Sequence, residues 1–464
     1  MPALPIAGPS SSLRGNAETR RVINWMPCAT ESPTAKGGIS YYLKQCPGLV
    51  QRASVGAEIT GMKAANGVLY VTAGGSLYEV AADMTVTRRG TVPSGIASMA
   101  ANETQLAVVS NHALNVYDFA ALSVSPVTTN WLGSNVVDVL DGFGVFSEPD
   151  QRQFFISANQ DFTTLSALDF ASAESSTGPI IGFIVKNREL LLMKSATTEF
   201  WYDDPTATDF PLSRNSGANV EAGLVACHSL RKSGGVAYWL GSDENGQGVV
   251  LAAGGYAPQR VSTHALEEKL QGAGDLSGAT AFTYHQEGQT FYALNVPGLD
   301  TTWVYDVSSQ MWHERAELVD GAWRKWRATC HAVAFGKHYV GDADGNIYEM
   351  TFDANTYGSD EMVRDFISPQ ESVPSLKRQR FSSFQVDCKV GQGKPSGQQA
   401  TMLLRYSNDG GAKYLNWREL TLGNVGQTMA SARATPCGSG KNRVWNIRVT
   451  DDVACSPLAI VVNE

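Results

Sequence analysis

The stretch Gly61-Met-Lys-Ala-Ala-Asn66-Gly67-Val-Leu-Tyr-Val71, followed by Gly74-Gly75 and Ser76-Leu-Tyr-Glu-Val80, decides the fold. Short apolar runs alternate with polar positions, and each run ends at a two-residue turn signal. Asn66-Gly67 suits a type I′ hairpin turn, which needs positive φ at both central positions. The unit reads strand, tight turn, strand, tight turn, strand.

Moving outward, the unit recurs at roughly the 40 to 50 residue period of propeller blades, about seven times between residues 61 and 357. A second copy runs from Ser98 through Gln105-Leu-Ala-Val-Val109, turns at Asn111-His112 and returns as Ala113-Leu-Asn-Val-Tyr-Asp118. A third covers Val136 to Phe170. The fourth pairs Ile180-Ile-Gly-Phe-Ile-Val185 with Glu189-Leu-Leu-Leu-Met193 across Asn187-Arg188. The fifth pairs Gly235-Val-Ala-Tyr-Trp-Leu240 with Gly248-Val-Val-Leu251. The sixth pairs Gln289-Thr-Phe-Tyr-Ala-Leu294 with Thr302-Trp-Val-Tyr-Asp306, with Trp312 as a blade-packing aromatic. The seventh is Cys330-His-Ala-Val-Ala-Phe335, Lys337-His-Tyr-Val-Gly341 and Asn346-Ile-Tyr-Glu-Met350. The pattern predicts an all-β chain with a β-propeller-like body of six or seven blades over residues 61–357, preceded by an N-terminal arm at 1–60. One short helix interrupts it, capped by Ser262 or Thr263, running over His264-Ala-Leu-Glu-Glu-Lys-Leu270 and stopped by Gly272. Residues 358–375 end in proline and serine and read as a linker. Alternating strands in 376–464, such as Val444-Trp-Asn-Ile-Arg-Val449 and Leu458-Ala-Ile-Val-Val462, predict a small C-terminal β-sandwich.

Composition narrows the function classes. The 464 residues are 43% apolar and only 17% charged, with 45 glycines, which excludes a disordered chain or a coiled coil. Lys and Arg number 36 against 45 Asp and Glu, a net charge of −9, so no global basic field holds nucleic acid. The seven cysteines form no Cys-x-x-Cys and read as reduced, buried thiols. The N-terminus lacks the charged and apolar regions of a signal peptide, and no apolar run approaches the ~18 residues of a membrane span.

Motifs of chemistry are sparse. Gly440-Lys441 runs into Asn442 and Gly393-Lys394 into Pro395, so neither is a phosphate loop. No Gly-x-Ser-x-Gly or His-Glu-x-x-His occurs. His331 and His338 are either a metal pair joined by folding or polar strand positions. Asp342-Ala-Asp344-Gly345-Asn346 spaces oxygens as a calcium loop does, but Ile347 stands where an EF-hand requires glycine, so a plain hairpin turn is the stronger reading. Ser407-Asn-Asp409-Gly-Gly411-Ala-Lys-Tyr414 approximates the Asp-box turn of sialidase propellers. Lys377-Arg378-Gln-Arg380 and Trp323-Arg324-Lys325-Trp326-Arg327 are the basic clusters, both read as solvated surface. No metal or cofactor is expected.

The chain resembles the tail-tube nozzle, or packaged-DNA stabilisation, proteins of short-tailed double-stranded DNA phages. The resemblance rests on ordered stretches. The first are Val22-Ile-Asn24-Trp25-Met-Pro27, Gly38-Ile-Ser-Tyr-Tyr-Leu43 and Pro47-Gly48-Leu49. Ile180-Ile-Gly182 with Phe200-Trp-Tyr202 follows, then Val261-Ser-Thr263-His264-Ala-Leu-Glu267. In the C-terminal third stand Val340-Gly341-Asp342-Ala-Asp-Gly345-Asn-Ile-Tyr348, Leu404-Arg-Tyr-Ser407-Asn-Asp409-Gly-Gly411 and Arg443-Val-Trp-Asn-Ile-Arg-Val-Thr450. Ala432-Arg-Ala-Thr-Pro-Cys-Gly-Ser-Gly-Lys441 departs from the arginine-rich stretch expected there. The resemblance implies a non-enzymatic virion tail component, assembled in the host cytoplasm as a homo-oligomeric ring of six copies. Its implied partners are a portal-adaptor ring, a distal needle or plug, tail fibres or tailspikes, and double-stranded DNA that passes without sequence-specific binding; no membrane insertion is implied. Such a ring would retain packaged DNA and conduct it at ejection, and an acidic lumen would let DNA slide. Residues 1–60 are expected to close the propeller or wrap a partner. Two alternatives stay open: a monomeric propeller scaffold, and a propeller glycosidase using carboxylates such as Asp138, Asp141, Glu199 and Asp203.

Overall fold

The computed structural model describes residues 21–29, 41–243, 246–372, 378–390, 399–423 and 427–463. Among them are seven consecutive four-stranded antiparallel units, the blades of a propeller. Blade 1 spans Ile59–Ala65 to Val86–Thr91, blade 2 Ala97–Ala101 to Ser123–Val127, and blade 3 Asp138–Leu140 to Asp161–Ser172. Blade 4 runs from Gly182–Lys186 to Leu212–Val220, blade 5 from Arg231–Ser233 to Gln259–Arg260, and blade 6 from Thr280–Gln286 to Met311–Val319. Blade 7 takes three strands in order, Cys330–Ala334, Lys337–Gly341 and Asn346–Thr351, and its fourth is Gly48–Ser54 from the beginning of the chain.

Turn chemistry makes the hairpins. Asn66 and Gly67 have φ of 47° and 73°, and Asn187 and Arg188 have 53° and 63°, the left-handed pair that matches the twist of the flanking strands. The alternating apolar positions of neighbouring blades then pack face to face, as where Tyr238 and Leu240 of blade 5 meet Tyr292 and Leu294 of blade 6. The helix His264–Gly272 sits between those two blades and buries Leu266 and Leu270 in the same cluster. Trp312 is buried there too, its Nε1 donating to Val261 O at 2.7 Å.

The start of the chain links the propeller to the C-terminal sandwich. Arg21–Ile23 pairs in parallel with the outer strand of blade 6, Ile23 opposite Glu314. Its other edge pairs antiparallel with Arg364–Ile367, Val22 opposite Phe366. One sheet thus runs from blade 6 through Arg21–Ile23 and Arg364–Ile367 to Asn442–Val449, Thr401–Ser407 and Arg418–Thr421. The facing sheet is Met429–Ala434, Ser383–Val390 and Cys455–Asn463. Phe384, Val386, Met402, Leu404, Trp445, Ile447, Ile460 and Val462 form the core between them, joined by Trp25 and Leu43 from the hairpin of Trp25–Ala29 with Tyr41–Gln45.

Two stretches sit differently from where sequence pattern divides the chain. Gly48–Ser54, within the arm of 1–60, is a blade strand, because Leu49 sits opposite Met350 and completes the buried face of blade 7. Arg364–Ile367, within the linker of 358–375, is a sandwich strand with Arg364 and Phe366 fully buried. Both pairings join residues far apart in the chain, Leu49 with Met350 and Phe366 with Ile447, which local composition does not register. Residues 1–20, 30–40, 244–245, 373–377, 391–398, 424–426 and 464 lie outside the described residues; with them go Gly38 to Ser40, Lys377 and the Gly393-Lys394 dipeptide.

Candidate functional site

The family-motif residues of the N-terminal stretch converge on one buried junction. Asn24 has φ 57° and no exposed surface. Its Nδ2 donates to Ala316 O and Val363 O, both at 2.7 Å, while its Oδ1 accepts from Tyr357 Oη at 2.7 Å and Ala316 N at 3.2 Å. One side chain thereby ties the start of the chain to blade 6, to the end of blade 7 and to the sandwich. Trp25 fills the sandwich core and its Nε1 donates to Cys455 O at 2.9 Å. Pro27 lies opposite Leu43 in the hairpin. Pro47 O accepts from Arg315 Nη2 at 2.5 Å. Gly48 passes so close to Ala354 O that a Cβ there would stand 2.5 Å away.

Buried arginines, which sequence pattern did not single out, complete the junction. Arg315 is fully buried beneath Trp326, its guanidinium carbon 3.6 Å from the ring centroid. Arg364 donates to Gln45 Oε1 and Val453 O at 2.5 Å and to Asp451 O. Arg443 donates to Asn408 Oδ1 at 2.9 Å and Cys437 O at 2.8 Å among Phe381, Tyr406 and Trp445. Carbonyls and aromatic faces around these guanidiniums offset their desolvation. Glu314 is a buried carboxylate of the same junction, paired with Arg21. Burial alone would raise its carboxyl, but Arg21, which grips it through Nε and Nη2 at 2.8 to 3.1 Å, and Lys269 hold it below the usual range. The cluster 323–327 is largely part of this seam: Trp323 lies between Arg21 and Arg448, Trp326 covers Arg315, and Arg327 pairs with Glu317 and Asp360. Arg448 continues the stack to Trp417, which shares Arg405 with Tyr414. This corrects the reading of that cluster as solvated surface; of its five residues Arg324 is the exposed one.

The remaining motif residues make turns and closures. Asp342 is buried; its Oδ1 accepts from Asp344 N at 3.0 Å and Asn346 N at 2.7 Å, and its Oδ2 from Asn346 Nδ2 at 3.0 Å. Its oxygens are committed to the loop's own donors, the hairpin-turn reading. Gly341 lies against Ile59 where blade 1 begins, and Gly345, at φ 84°, leaves only 2.5 Å between a would-be Cβ and Ala57 N. The loop therefore seats both the departing strand of blade 7 and the entry to blade 1. Ser407 Oγ donates to Asp409 Oδ1 at 2.5 Å and accepts from Gly411 N at 3.0 Å, and Asp409 accepts from Lys413 N at 2.9 Å. Thr263 caps the helix through Leu266 N at 3.5 Å, and the His264 side chain is 90% exposed beside Glu267.

The carboxylates proposed for glycoside chemistry are engaged with local partners. Asp138 accepts from Val185 N and Lys232 Nζ, Asp141 from Arg188, whose charge Asp203 also favours, and Glu199 is buried against Ser175, Lys194 and Arg214. His331 and His338 do meet, Nε2 to Nδ1 at 3.0 Å, stacked on Phe282. Burial first, then His338, pushes His331 down to about 3, so the pair is neutral and hydrogen-bonded. Among the described residues no group of three or more His, Cys, Asp or Glu is arranged to hold a metal ion, and no helix is long and apolar enough to cross a membrane.

Comparison with known proteins bears directly on this architecture. The sequence profile described as "Bacteriophage P22 Gp10, beta-propeller" matches residues 3–355, three quarters of the chain. The chain belongs to this phage stabilisation family. It is a structural phage protein that stabilises packaged DNA, a component of the virion, and not an enzyme. No curated protein matches the chain. Among solved structures, the computationally designed Ika8 protein is 12% identical, aligns over 65% of this chain and 99% of its own, and has a TM-score of 0.38. The Neurospora crassa Pan2 WD40 domain is 8% identical over 66% and 96%, with a TM-score of 0.44. The family match ends at residue 355, before the sandwich; the motif stretches at 404–411 and 443–450 lie beyond it.

Proposed function

We propose that this Gp10-family protein forms the nozzle ring of a short phage tail, six copies docked below a portal and its adaptor, closing the channel on packaged DNA and conducting it at ejection. The observation that carries the reading is the seam. A single N-terminal segment closes blade 7, extends the sheet of blade 6 and enters the sandwich core, so a subunit under load has no free hinge between its two parts. Two further features support it. Leu168 and Phe170, 83% and 44% exposed, project from the twelve-residue outer strand of blade 3, an apolar edge suited to a neighbouring subunit. The cavity inside the blades holds about 450 Å³, far too little for a duplex whose major groove alone is about 12 Å wide, so DNA would pass along the ring axis between subunits. A net acidic subunit suits such a lumen.

The deciding experiment is mass photometry and electron microscopy of the purified chain, alone and mixed with a portal-adaptor ring. Rings of six capping the adaptor are expected. A persistent monomer in both samples would leave the scaffold reading in its place. A ring whose lumen is lined mostly by Lys and Arg would remove the sliding role of the acidic charge.

A further inference from the structure

The inner strands of all seven blades surround a cavity of about 450 Å³ whose charged residues are unevenly placed. Glu58 and Lys63 both line it, five residues apart along the start of blade 1 and so roughly 15 Å apart at a strand's rise. Asp138, Arg231, Lys232 and His331 also line this cavity. An acidic protein has here turned three cations inward against one nearby carboxylate.

That carboxylate is already taken. Asp138 Oδ2 is 3.0 Å from Lys232 Nζ and accepts from Val185 N at 2.9 Å, while its Oδ1 accepts from Val139 N at 3.0 Å. Lys232 also donates to Val185 O at 2.5 Å. Two cations remain. Among the described residues, Lys63 has no hydrogen bond or ion pair, and Arg231 makes its single side-chain hydrogen bond to Leu230 O at 2.9 Å. Desolvation in the cavity lowers the affinity of both groups for their proton; at Lys63, whose residue surface is exposed, the Asp138 charge opposes this and Lys232 and Arg231 add to it. His331 is neutral against His338 and supplies no charge.

We propose that the propeller cavity binds a small oxyanion of the phosphate class between the Lys63 ammonium and the Arg231 guanidinium. A guanidinium offers parallel N–H donors that match two phosphate oxygens, and an ammonium complements it as a point charge. Two cations without an ion-pair partner of their own on the wall of one solvent-open cavity raise each other's energy, and a dianion relieves both at once. The volume lies in the range of small-molecule sites and admits orthophosphate or a phosphomonoester. The site is internal to one subunit and stands whether or not the ring reading does.

The test is isothermal titration calorimetry of the purified full chain in low-salt, phosphate-free buffer, using inorganic phosphate, AMP and, at matched ionic strength, sodium chloride. Lys63→Met and Arg231→Gln are compared with the unaltered chain. One saturable site per chain is expected, weakened at least tenfold in each variant. Binding of phosphate alone identifies the free ion as the ligand, and binding of AMP identifies a phosphomonoester. Thermal unfolding guards against misfolding: without anion, Lys63→Met should melt no lower than the unaltered chain, because it removes an unpaired cation. Added phosphate should raise the melting temperature of the unaltered chain only. No saturable heat, an equal response to chloride, or unchanged affinity in Lys63→Met would overturn the proposal.

Discussion

Blades 1 to 5 and the seam between propeller and sandwich are built from the same backbone pairing but on different scales of sequence. In blade 1, Ala65 opposes Val68 and Ala73 opposes Ser76, each across a two-residue turn. At the seam, Asn24 reaches Ala316 and Val363, and Trp25 reaches Cys455, 430 positions away. A blade that frays loses neighbours a few residues off and can reform them quickly, because short loops cost little entropy to close. The seam closes only after nearly the whole chain is placed, so propeller and sandwich share one late structural commitment.

Substitutions at the seam should therefore have the largest effects. Asn24→Ala leaves Ala316 O, Val363 O and the Tyr357 hydroxyl buried without their partner, and Trp25→Ala opens a cavity in the sandwich core. Each should cost about 3–5 kcal/mol. Denaturant unfolding followed by tryptophan fluorescence should show the single transition of the unaltered chain splitting in two as the sandwich melts first. One unsplit transition, shifted by less than about 1 kcal/mol, would mean that the seam does not couple the parts.

The closing loop comes next. Gly345→Ala places a Cβ at φ 84° and 2.5 Å from Ala57 N, so either the loop or the entry to blade 1 must move. A loss of about 2–4 kcal/mol is expected. The matched change at Gly67, with the same sign of φ but open space around it, should cost only about 1 kcal/mol. Equal losses in calorimetry would show that conformation alone, and not closure of the ring of blades, sets the penalty.

The same contrast explains what the sequence made legible. Asn66-Gly67, Asn111-His112 and Asn187-Arg188 announce their turns because the chemistry that makes each turn lies within it, and the alternation beside them names the buried face. Six or seven blades followed from that pattern, and the structure has seven. Arg315 and Arg364 announced nothing, and Arg443 only its place in a resemblance stretch, since an arginine in a strand reads as surface until its carbonyl and aromatic neighbours are known. Trp323-Arg324-Lys325-Trp326-Arg327 read as a basic patch for the same reason: the partners that neutralise it, Glu317, Asp360 and the ring of Tyr348, are supplied by other turns of the chain. Asn24, Trp25, Pro47 and Gly48 were visible through resemblance, but their convergence on one junction was not.

Acid should distinguish the two regions more mildly. His313 at the seam is fully buried, with neither ring nitrogen hydrogen-bonded among the described residues, and burial, with Arg315 adding to it, pushes it down to about 3. The unfolded chain takes up a proton near pH 6.5 that the folded chain refuses until about 3, so stability is full above pH 6.5 and falls as the pH drops below it. At pH 5 this one group should cost about 2 kcal/mol relative to pH 7.5. His228, down to about 4 through burial, and His331 act with the same sign. His313→Phe should flatten the decline by that share in melts recorded from pH 7.5 to 5; an unchanged slope would remove His313 from the account.

The smallest effect belongs to an exposed turn of blade 4. Arg188 holds φ 63°, a conformation that disfavours a side chain, and its guanidinium, 79% exposed, meets Asp141 of blade 3 at 3.1 Å. Arg188→Gly loses that solvent-screened ion pair, which is weak at the surface, and relieves a backbone strain that is also small. The two nearly cancel, so the melting temperature should stay within a degree or rise slightly, and high salt, which screens the ion pair, should lower only the unaltered chain. A clear loss of stability in Arg188→Gly would show that contacts between adjacent blades, and not the turns within them, carry the local strength of the propeller, and would bring blades and seam closer in kind than their sequence scales suggest.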